Sequence, residues 1–235
     1  MKFKEYYTKT YAKELANKLN IPEQNFLQHL DTLEEKELLA RQDLLAYAIE
    51  QELPDFNTAV KRFETILGEP LTENKGMYSK GWWLWPCSRY IERNGTTDVQ
   101  TSLDFIYELT QRFTGEFALR PLLEKEPTLI LQTLLQWAKD ESVHVRRCAS
   151  ECLRPRLPWA KKSTLAFEQF EIYSKILSSL AQDPDKFVQK SVANNLNDLY
   201  VLSPEHAEQL IENWDRTNNA TQWIIKHGQR SLRKK

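Results

Sequence analysis

Apolar positions recur at helical spacing in short segments that Pro, Gly or Asp residues separate. One segment predicts a helix near Lys4–Leu19, which stops at the Asn-Ile-Pro sequence that follows. A second predicts a helix over Glu34–Gln51, whose apolar stripe contains Leu38, Leu45 and Ile49. A third helix is expected within Asp55–Gly68, with the aspartate as its N-cap and the glycine just past its end. The pattern therefore predicts a chain of short amphipathic helices.

Residues 69–80 contain Pro70, Asn74 and Gly76 and are expected to form a loop. No segment alternates apolar and polar residues over four or more positions between turn signals, so we expect no β-strand. The fold class predicted at this point is all-α.

Beyond residue 100 the pattern repeats. Residues 137–153 align with residues 180–196 at an offset of 43, and five pairs fall in register: Ala138/Ala181, Asp140/Asp183, Val145/Val188, Arg147/Lys190 and Leu153/Leu196. This is the pattern of HEAT-type repeats, in which the Asp caps the second helix of a pair and Val and Leu seat it in the core. Repeats of this length predict a right-handed superhelical solenoid of helix pairs, here one domain over residues 1–235. Chance similarity between two amphipathic helices is the alternative.

Composition narrows the class of protein further. Six Gly and ten Pro in 235 residues exclude collagen and flexible linker chains, and seven Trp argue against disorder. No apolar run is long enough to span a membrane and no signal peptide is visible, so we expect a cytoplasmic protein without membrane contact. The three cysteines cannot form a disulfide framework. Cys148 and Cys152 are expected to be small core residues rather than metal ligands, and no metal or cofactor is predicted.

Charge is segregated along the chain although the net charge is only −1. Residues 1–70 carry nine basic and thirteen acidic side chains, a net of −4, whereas residues 141–162 carry six basic and two acidic ones, a net of +4. We expect Arg146, Arg147, Arg154 and Arg156 to form one positive patch on the concave surface, able to bind a phosphate backbone. The alternative is that these arginines pair with acidic residues of the neighbouring repeat. Trp159, beside a Pro-bracketed basic loop, either stacks or plugs the core.

Two carboxylates are candidates for chemistry. Glu116 lies among Phe113, Phe117 and Ala118, an apolar setting for a charge, and Asp198 follows three asparagines near the end of a predicted helix. From spacing alone, capping or salt-bridge roles are the alternatives to catalysis. The isolated histidines His144 and His227 are expected to be structural.

Three segments resemble the DNA alkylation repair family of HEAT-like repeat DNA glycosylases, and within it the AlkC-like branch. They are Gln111–Pro121, His144–Ala160 and Ser191–Asp198, with further similarity at Trp223–His227. The resemblance implies excision of cationic N-alkylated bases, chiefly 3-methyladenine, from alkylated DNA by a monomer, without flipping the base into a pocket.

The resemblance also assigns residues. It implies Glu116 and Asp198 as the catalytic carboxylates, and we expect Glu116 to act at the sugar while Asp198 orients an arginine or an aromatic ring. The residues expected to contact DNA are Arg112, Arg120, Arg146, Arg147, Arg154, Arg156, Trp159, Lys161 and Lys190. We further expect burial beside Phe113 and Phe117 to raise the pKa of Glu116, and Arg147 or Arg112 to lower it.

Some positions depart from the family pattern. Cys152 replaces a glycine, Gln189 replaces an arginine and Asn195 replaces a histidine. The lost cation predicts weaker DNA binding. The alternative function is a catalytically silent DNA- or protein-binding HEAT scaffold.

Overall fold

The computed structural model describes residues 2–75 and 77–234, and within these ranges the secondary structure is helical, with no strand. Contacts divide the chain into two compact units, residues 1–125 and residues 126–235. The single domain expected over the whole chain stays a prediction.

The described residues of the first unit form seven α-helices: α1 (Lys9–Lys18), α2 (Glu23–Leu27), α3 (Leu38–Glu52), α4 (Phe56–Ile66), α5 (Trp85–Asn94), α6 (Val99–Thr110) and α7 (Glu116–Lys125). Short 3₁₀ helices lie at Phe3–Tyr6, Leu33–Glu35, Trp82–Leu84 and Gly95–Thr97. Helix α5 is central, because it packs against both α3 and α7, while α4 packs against α6. The predicted loop is observed: the described residues of 69–80 form no helix.

The second unit contains the remaining α-helices: α8 (Pro127–Trp137), α9 (Val143–Glu151), α10 (Leu165–Glu168), α11 (Phe170–Ser179), α12 (Lys186–Leu202), α13 (Pro204–Ile211) and α14 (Asn219–Gly228), followed by a 3₁₀ helix at Gln229–Lys234. Helix α12 is the centre of this unit, since it packs against α9, α13 and α14.

The predicted repeat is confirmed in the second unit. Helices α8 and α9 begin at Pro127 and Val143, and α11 and α12 begin at Phe170 and Lys186, which is 43 residues later in both cases. The aligned apolar positions are buried in both copies: Ala138/Ala181, Val145/Val188 and Leu153/Leu196. Two stacked helix pairs therefore share one core.

The predicted caps of the repeat helices are wrong by two residues. Asp140 and Asp183 lie in the turns as expected, but their carboxylates accept hydrogen bonds from the backbone N–H groups of Ser142 and Asp185. Ser142 and Asp185 are the N-cap residues. The aspartates thus shape the turn instead of capping the helix.

Two predicted helices begin later than expected. In the first segment the helix starts at Lys9, because the Thr8 hydroxyl accepts the N–H of Tyr11 as an N-cap. In the second segment the helix starts at Leu38. The guanidinium of the buried Arg41 donates to backbone carbonyls of residues that precede this helix, those of Lys4, Tyr7, Glu34 and Lys36. The third prediction is confirmed: Asp55 caps α4 through the N–H of Thr58, and Gly68 has a φ of +72° just after it.

Candidate nucleic-acid interface

Helices α9 and α12 are joined by a row of side-chain contacts. At the N-terminal end, the Arg146 guanidinium binds Asp183, with Nε 2.6 Å from Oδ2. One residue further, the Arg147 guanidinium lies 5.2 Å from the centroid of the Phe187 ring. Because α9 and α12 are the second helices of successive pairs, these contacts link neighbouring repeats.

The row ends in a buried cluster around Arg154. Its Nη1 donates to Glu151 at 2.9 Å and its Nε donates to Asp198 at 3.0 Å. Glu151 also accepts the hydroxyl of Ser191 at 2.6 Å and lies 3.6 Å from Nη2 of Arg147. Both carboxylates therefore have positively charged partners inside the fold, as buried charges require.

The two carboxylates of this cluster respond differently to burial. Burial tends to raise the pKa of Glu151, but the charges of Arg147 and Arg154 and the Ser191 hydrogen bond outweigh it and hold that pKa below its usual value. Burial raises the pKa of Asp198, and its bonds to Arg154 offset only part of that effect. The same carboxylates raise the pKa of Arg154 despite its burial, so this guanidinium is a permanent cation. Asp198 thus contacts an arginine, and its orienting role in catalysis stays a prediction.

The expected open patch of four arginines is contradicted at Arg146 and Arg154. Arg154 is 8% exposed and Arg146 pairs with the buried Asp183, because acidic residues of the next repeat lie directly opposite them. The alternative of inter-repeat ion pairs is therefore correct for these two residues. The side chain of Arg156 is exposed, and its backbone N–H lies 3.4 Å from Asp198.

Trp159 lies on the surface in the loop that follows this cluster. Its side chain is 57% exposed and its φ is +66°, a value that is unusual for a residue other than glycine. The core-plug alternative is wrong, and an exposed ring can stack. Lys161, two residues later, is also exposed.

Glu116 begins α7 in the first unit and is 1% exposed, with the buried Phe113 and Phe117 beside it in sequence. The chain enters α7 through Gly115, where a Cβ would lie 2.3 Å from Oγ1 of Thr110, so the approach to Glu116 tolerates no side chain. Its apolar setting is thus observed, and its catalytic role stays a prediction.

The two predicted DNA-binding arginines of the first unit are held by protein atoms. The Arg112 guanidinium donates to the Gly68 carbonyl at 2.6 Å and to the Glu108 carboxylate at 2.7 Å. Arg120 is half-buried on α7 and its charge acts on Glu92. Their contact with DNA stays a prediction.

A second set of basic residues, largely missed by the sequence analysis, lies where α12 meets α14. Lys190 is among the residues expected to contact DNA, whereas Lys186, Lys226 and Arg230 are not, and His227 is not isolated in the structure. In the structure Lys186, Lys190 and Asn194 of α12 face Trp223, His227 and Arg230. The signal that could have found them is the spacing of four residues along α12, which is matched by Trp223 and His227 on α14.

Three other features are candidates for functional sites: the cysteines, groups of metal-ligating side chains and long apolar helices. The three cysteines are buried, as expected of core residues. Within the described ranges, no group of three or more His, Cys, Asp and Glu side chains is placed to hold a metal ion. No helix in the described part of the chain has both the length and the apolar character needed to cross a membrane.

Comparison with known proteins identifies the family. A family model described as "DNA alkylation repair enzyme" matches residues 113–232, just over half of the chain. This chain belongs to the DNA alkylation repair enzyme family. The matched span begins just before Glu116 and includes the Arg154 cluster and the contact between α12 and α14.

One curated protein and two solved structures are similar to this chain. The uncharacterised protein YhaZ of Bacillus subtilis (strain 168) is 40% identical over 146 residues, which are 62% of this chain and 41% of that protein. The structure of Pseudomonas fluorescens alkylpurine DNA glycosylase AlkC, bound to DNA containing an abasic site analog, matches 99% of this chain and 65% of that one, with 28% identity and a TM-score of 0.86. AlkD2 from Streptococcus mutans is a weaker match, with 16% identity and a TM-score of 0.47 over 97% of this chain and 98% of that one.

These matches confirm the predicted family, its AlkC-like branch, and an all-α fold built from HEAT-like helix pairs. The chain spans less than two thirds of the length of both YhaZ and the AlkC chain.

Proposed function

We propose that this protein is a DNA glycosylase that excises cationic N-alkylated bases such as 3-methyladenine from alkylated DNA. The observation that carries the proposal is the similarity to a DNA-bound alkylpurine glycosylase over 99% of the chain. A monomer acting in the cytoplasm, where bacterial DNA lies, belongs to the same proposal.

The chemistry needs few groups from the protein. When the bond between C1′ of the sugar and the base nitrogen breaks, its electron pair moves to the base and neutralises the positive charge there. The leaving base therefore requires no general acid. Water then attacks C1′ of the oxocarbenium-like sugar and loses a proton. A carboxylate near C1′ stabilises the sugar cation and positions this water.

Each predicted residue has a place in this scheme. Glu116 acts at the sugar, and Asp198 fixes Arg154, with which it is bonded in the structure. Trp159 stacks against the DNA through its exposed ring. The DNA contacts of the proposal are Arg112, Arg120, Arg147, Arg156, Lys161 and Lys190, among which Arg156, Lys161 and Lys190 have exposed side chains. Arg146 and Arg154 are held in ion pairs with Asp183 and Asp198 and are not among these contacts.

Release of 3-methyladenine from methylated duplex DNA tests the proposal. We expect the wild-type protein to release the base, and Glu116→Gln to slow release by about 100-fold or more, the scale seen when a group that stabilises a transition state is removed. Glu124→Gln is the matched control, because Glu124 is an exposed glutamate of the same helix. A urea unfolding curve of Glu116→Gln shows that the variant is folded, and Asp198→Asn provides a second variant with an expected loss.

The silent HEAT scaffold remains the second candidate, and the observation that favours it is the burial of Glu116, which is only 1% exposed. A wild-type protein that binds methylated DNA without releasing base would establish the scaffold and refute the glycosylase. Equal rates for wild type, Glu116→Gln and Glu124→Gln would refute the assignment of Glu116.

A further inference from the structure

Helix α12 forms three pairs of side chains with α14 and the 3₁₀ helix that follows it. The ammonium of Lys186 lies 4.2 Å from the centroid of the Trp223 ring. One turn on, Lys190 and His227 are close enough for the charge of one to act on the other. At the third pair, Nη2 of Arg230 donates to Oδ1 of Asn194 at 2.9 Å.

Two of the basic groups here donate hydrogen bonds to neutral atoms and not to carboxylates. Arg230 donates to the His227 carbonyl and to Asn194, and Lys186 donates to Oε1 of Gln189. In the described part of the chain, no carboxylate lies within salt-bridge distance of Lys186, Lys190, Lys226 or Arg230. This distinguishes them from Arg146 and Arg154.

The pKa values of His227 and Arg230 also report positive charge nearby. Burial, then the charges of Arg230 and Lys190, lower the pKa of His227. Burial and the charge of Arg154 lower the pKa of Arg230, and Asp198 offsets only part of this. These shifts disfavour protonation of His227, so the positive charge at neutral pH is carried by Lys186, Lys190, Lys226 and Arg230.

Trp223 holds this arrangement in place. One face of its indole receives Lys186, and the His227 ring stacks on it with 4.8 Å between centroids and an angle of 8°. The indole thus contacts both the Lys186 ammonium and the His227 imidazole. Trp223 and His227, with Lys226 and Arg230, line a pocket of about 230 Å³.

We propose that the α12–α14 basic strip, defined as Lys186, Lys190, Lys226, His227 and Arg230, binds consecutive phosphates of one DNA strand. The inference deepens the proposed function and rests on DNA being the substrate. Four residues of helix rise about 6 Å, so Lys186, Lys190 and Asn194 distribute the contacts over about 12 Å. Such a row suits a polyanion better than a single phosphate ion.

The test is the salt dependence of duplex DNA binding, measured by fluorescence anisotropy. The double variant Lys190→Gln/Lys226→Gln removes two exposed cations for which the structure shows no bond that folding needs. The matched control is Lys139→Gln/Lys175→Gln, two exposed lysines of the same unit outside the strip. We expect the slope of log K against log salt to flatten by about 1.8 in the strip variant, about 0.9 for each phosphate, and to stay at the wild-type value in the control.

Three outcomes would overturn the strip: a wild-type protein that does not bind DNA, an unchanged slope in the strip variant, or an equal flattening in the control. Release of 3-methyladenine by the same proteins separates this proposal from the proposed function. A flattened slope with no release by the wild type supports the strip and refutes the glycosylase. Release of 3-methyladenine by the wild type, together with an unchanged salt slope in the strip variant, supports the glycosylase and refutes the strip.

Discussion

At the scale of single residues, Arg154 shows why the count of basic residues misleads. Its guanidinium is shared between Glu151 and Asp198 inside the second unit. Burying three charges is costly, and the cost is offset only while each keeps its partners. Arg154 therefore contributes to the architecture of the site, and its value for DNA binding depends on the carboxylates that hold it.

Glu151→Gln tests the stability of this cluster. We expect the free energy of unfolding at pH 7 to fall by about 3 kcal/mol, because the buried Arg154 and the half-buried Arg147 lose a charged partner, although the amide oxygen can still accept hydrogen bonds. Urea unfolding measures the change. Glu141→Gln, an exposed glutamate just before α9, is the control and should change stability by less than about 0.5 kcal/mol.

The pH dependence of that difference has a defined sign. The pKa of Glu151 is lowered on folding, so its stabilisation is complete above the unfolded-state value of about 4.3 and is lost as the pH falls toward the folded-state value. The difference between wild type and Glu151→Gln should therefore shrink below about pH 4. The raised pKa of Asp198 has the opposite sign, but it affects both proteins and largely cancels. A difference that grows in acid would contradict the assignment.

Substitutions of Trp159 should affect base release and the free energy of unfolding differently. A residue other than glycine at positive φ lowers the free energy of unfolding by about 1–3 kcal/mol. Because the Trp159 ring is exposed, its burial offsets little of this cost. Trp159→Gly relieves this strain, so we expect the free energy of unfolding not to fall while base release falls. Trp159→Phe keeps a stacking ring and should retain most of the activity. A glycine variant with full activity would rule out the stacking role.

At the scale of helices, the contact of α14 with α12 depends on one glycine. A Cβ at Gly228 would lie 2.6 Å from the Leu196 side chain, which is buried in the core. The Gly228 carbonyl also accepts the side-chain amide of Asn197 at 2.8 Å, which fixes the end of α14. The close approach places Lys190 and Asn194 opposite His227 and Arg230.

Gly228→Ala should therefore force the two helices apart. We expect it to lower the free energy of unfolding by about 1–3 kcal/mol, the usual cost of overpacking a core, even though alanine is the better helix former. Thermal or urea unfolding gives the value. Gln222→Ala, at an exposed position of the same helix, is the control and should stay within about 0.5 kcal/mol of wild type. A stabilised Gly228→Ala protein would show that the contact relaxes without cost.

The helix starts show which local features a sequence can predict. The cap at Asp55 was predictable, because the side chain that ends the loop also bonds the first turn of α4. The late start of α3 was not, since Arg41 binds carbonyls of Lys4 and Tyr7, more than thirty positions away. Contacts between distant segments decide such boundaries, and periodicity does not record them.

At the scale of the whole molecule, the repeat predicted much of the second unit. The offset of 43 is set by the core positions Val145/Val188 and Leu153/Leu196, whose apolar character appears directly in the sequence. The candidate interface was less predictable, because which cations are exposed and which are paired depends on neighbours across helices. Arg146 and Lys190 are both basic residues of second helices, yet one binds Asp183 and the other is exposed.

The shared guanidinium of Arg154 also constrains how this protein can evolve. Replacing Arg154 alone would remove a positively charged partner from two buried carboxylates. Replacing Glu151 or Asp198 alone would remove one of the two negatively charged partners of the arginine. Any one-step path through these positions passes through a destabilised intermediate. Among relatives, positions 151, 154 and 198 should therefore change as a set or not at all, while the exposed lysines of α12 and α14 drift one at a time.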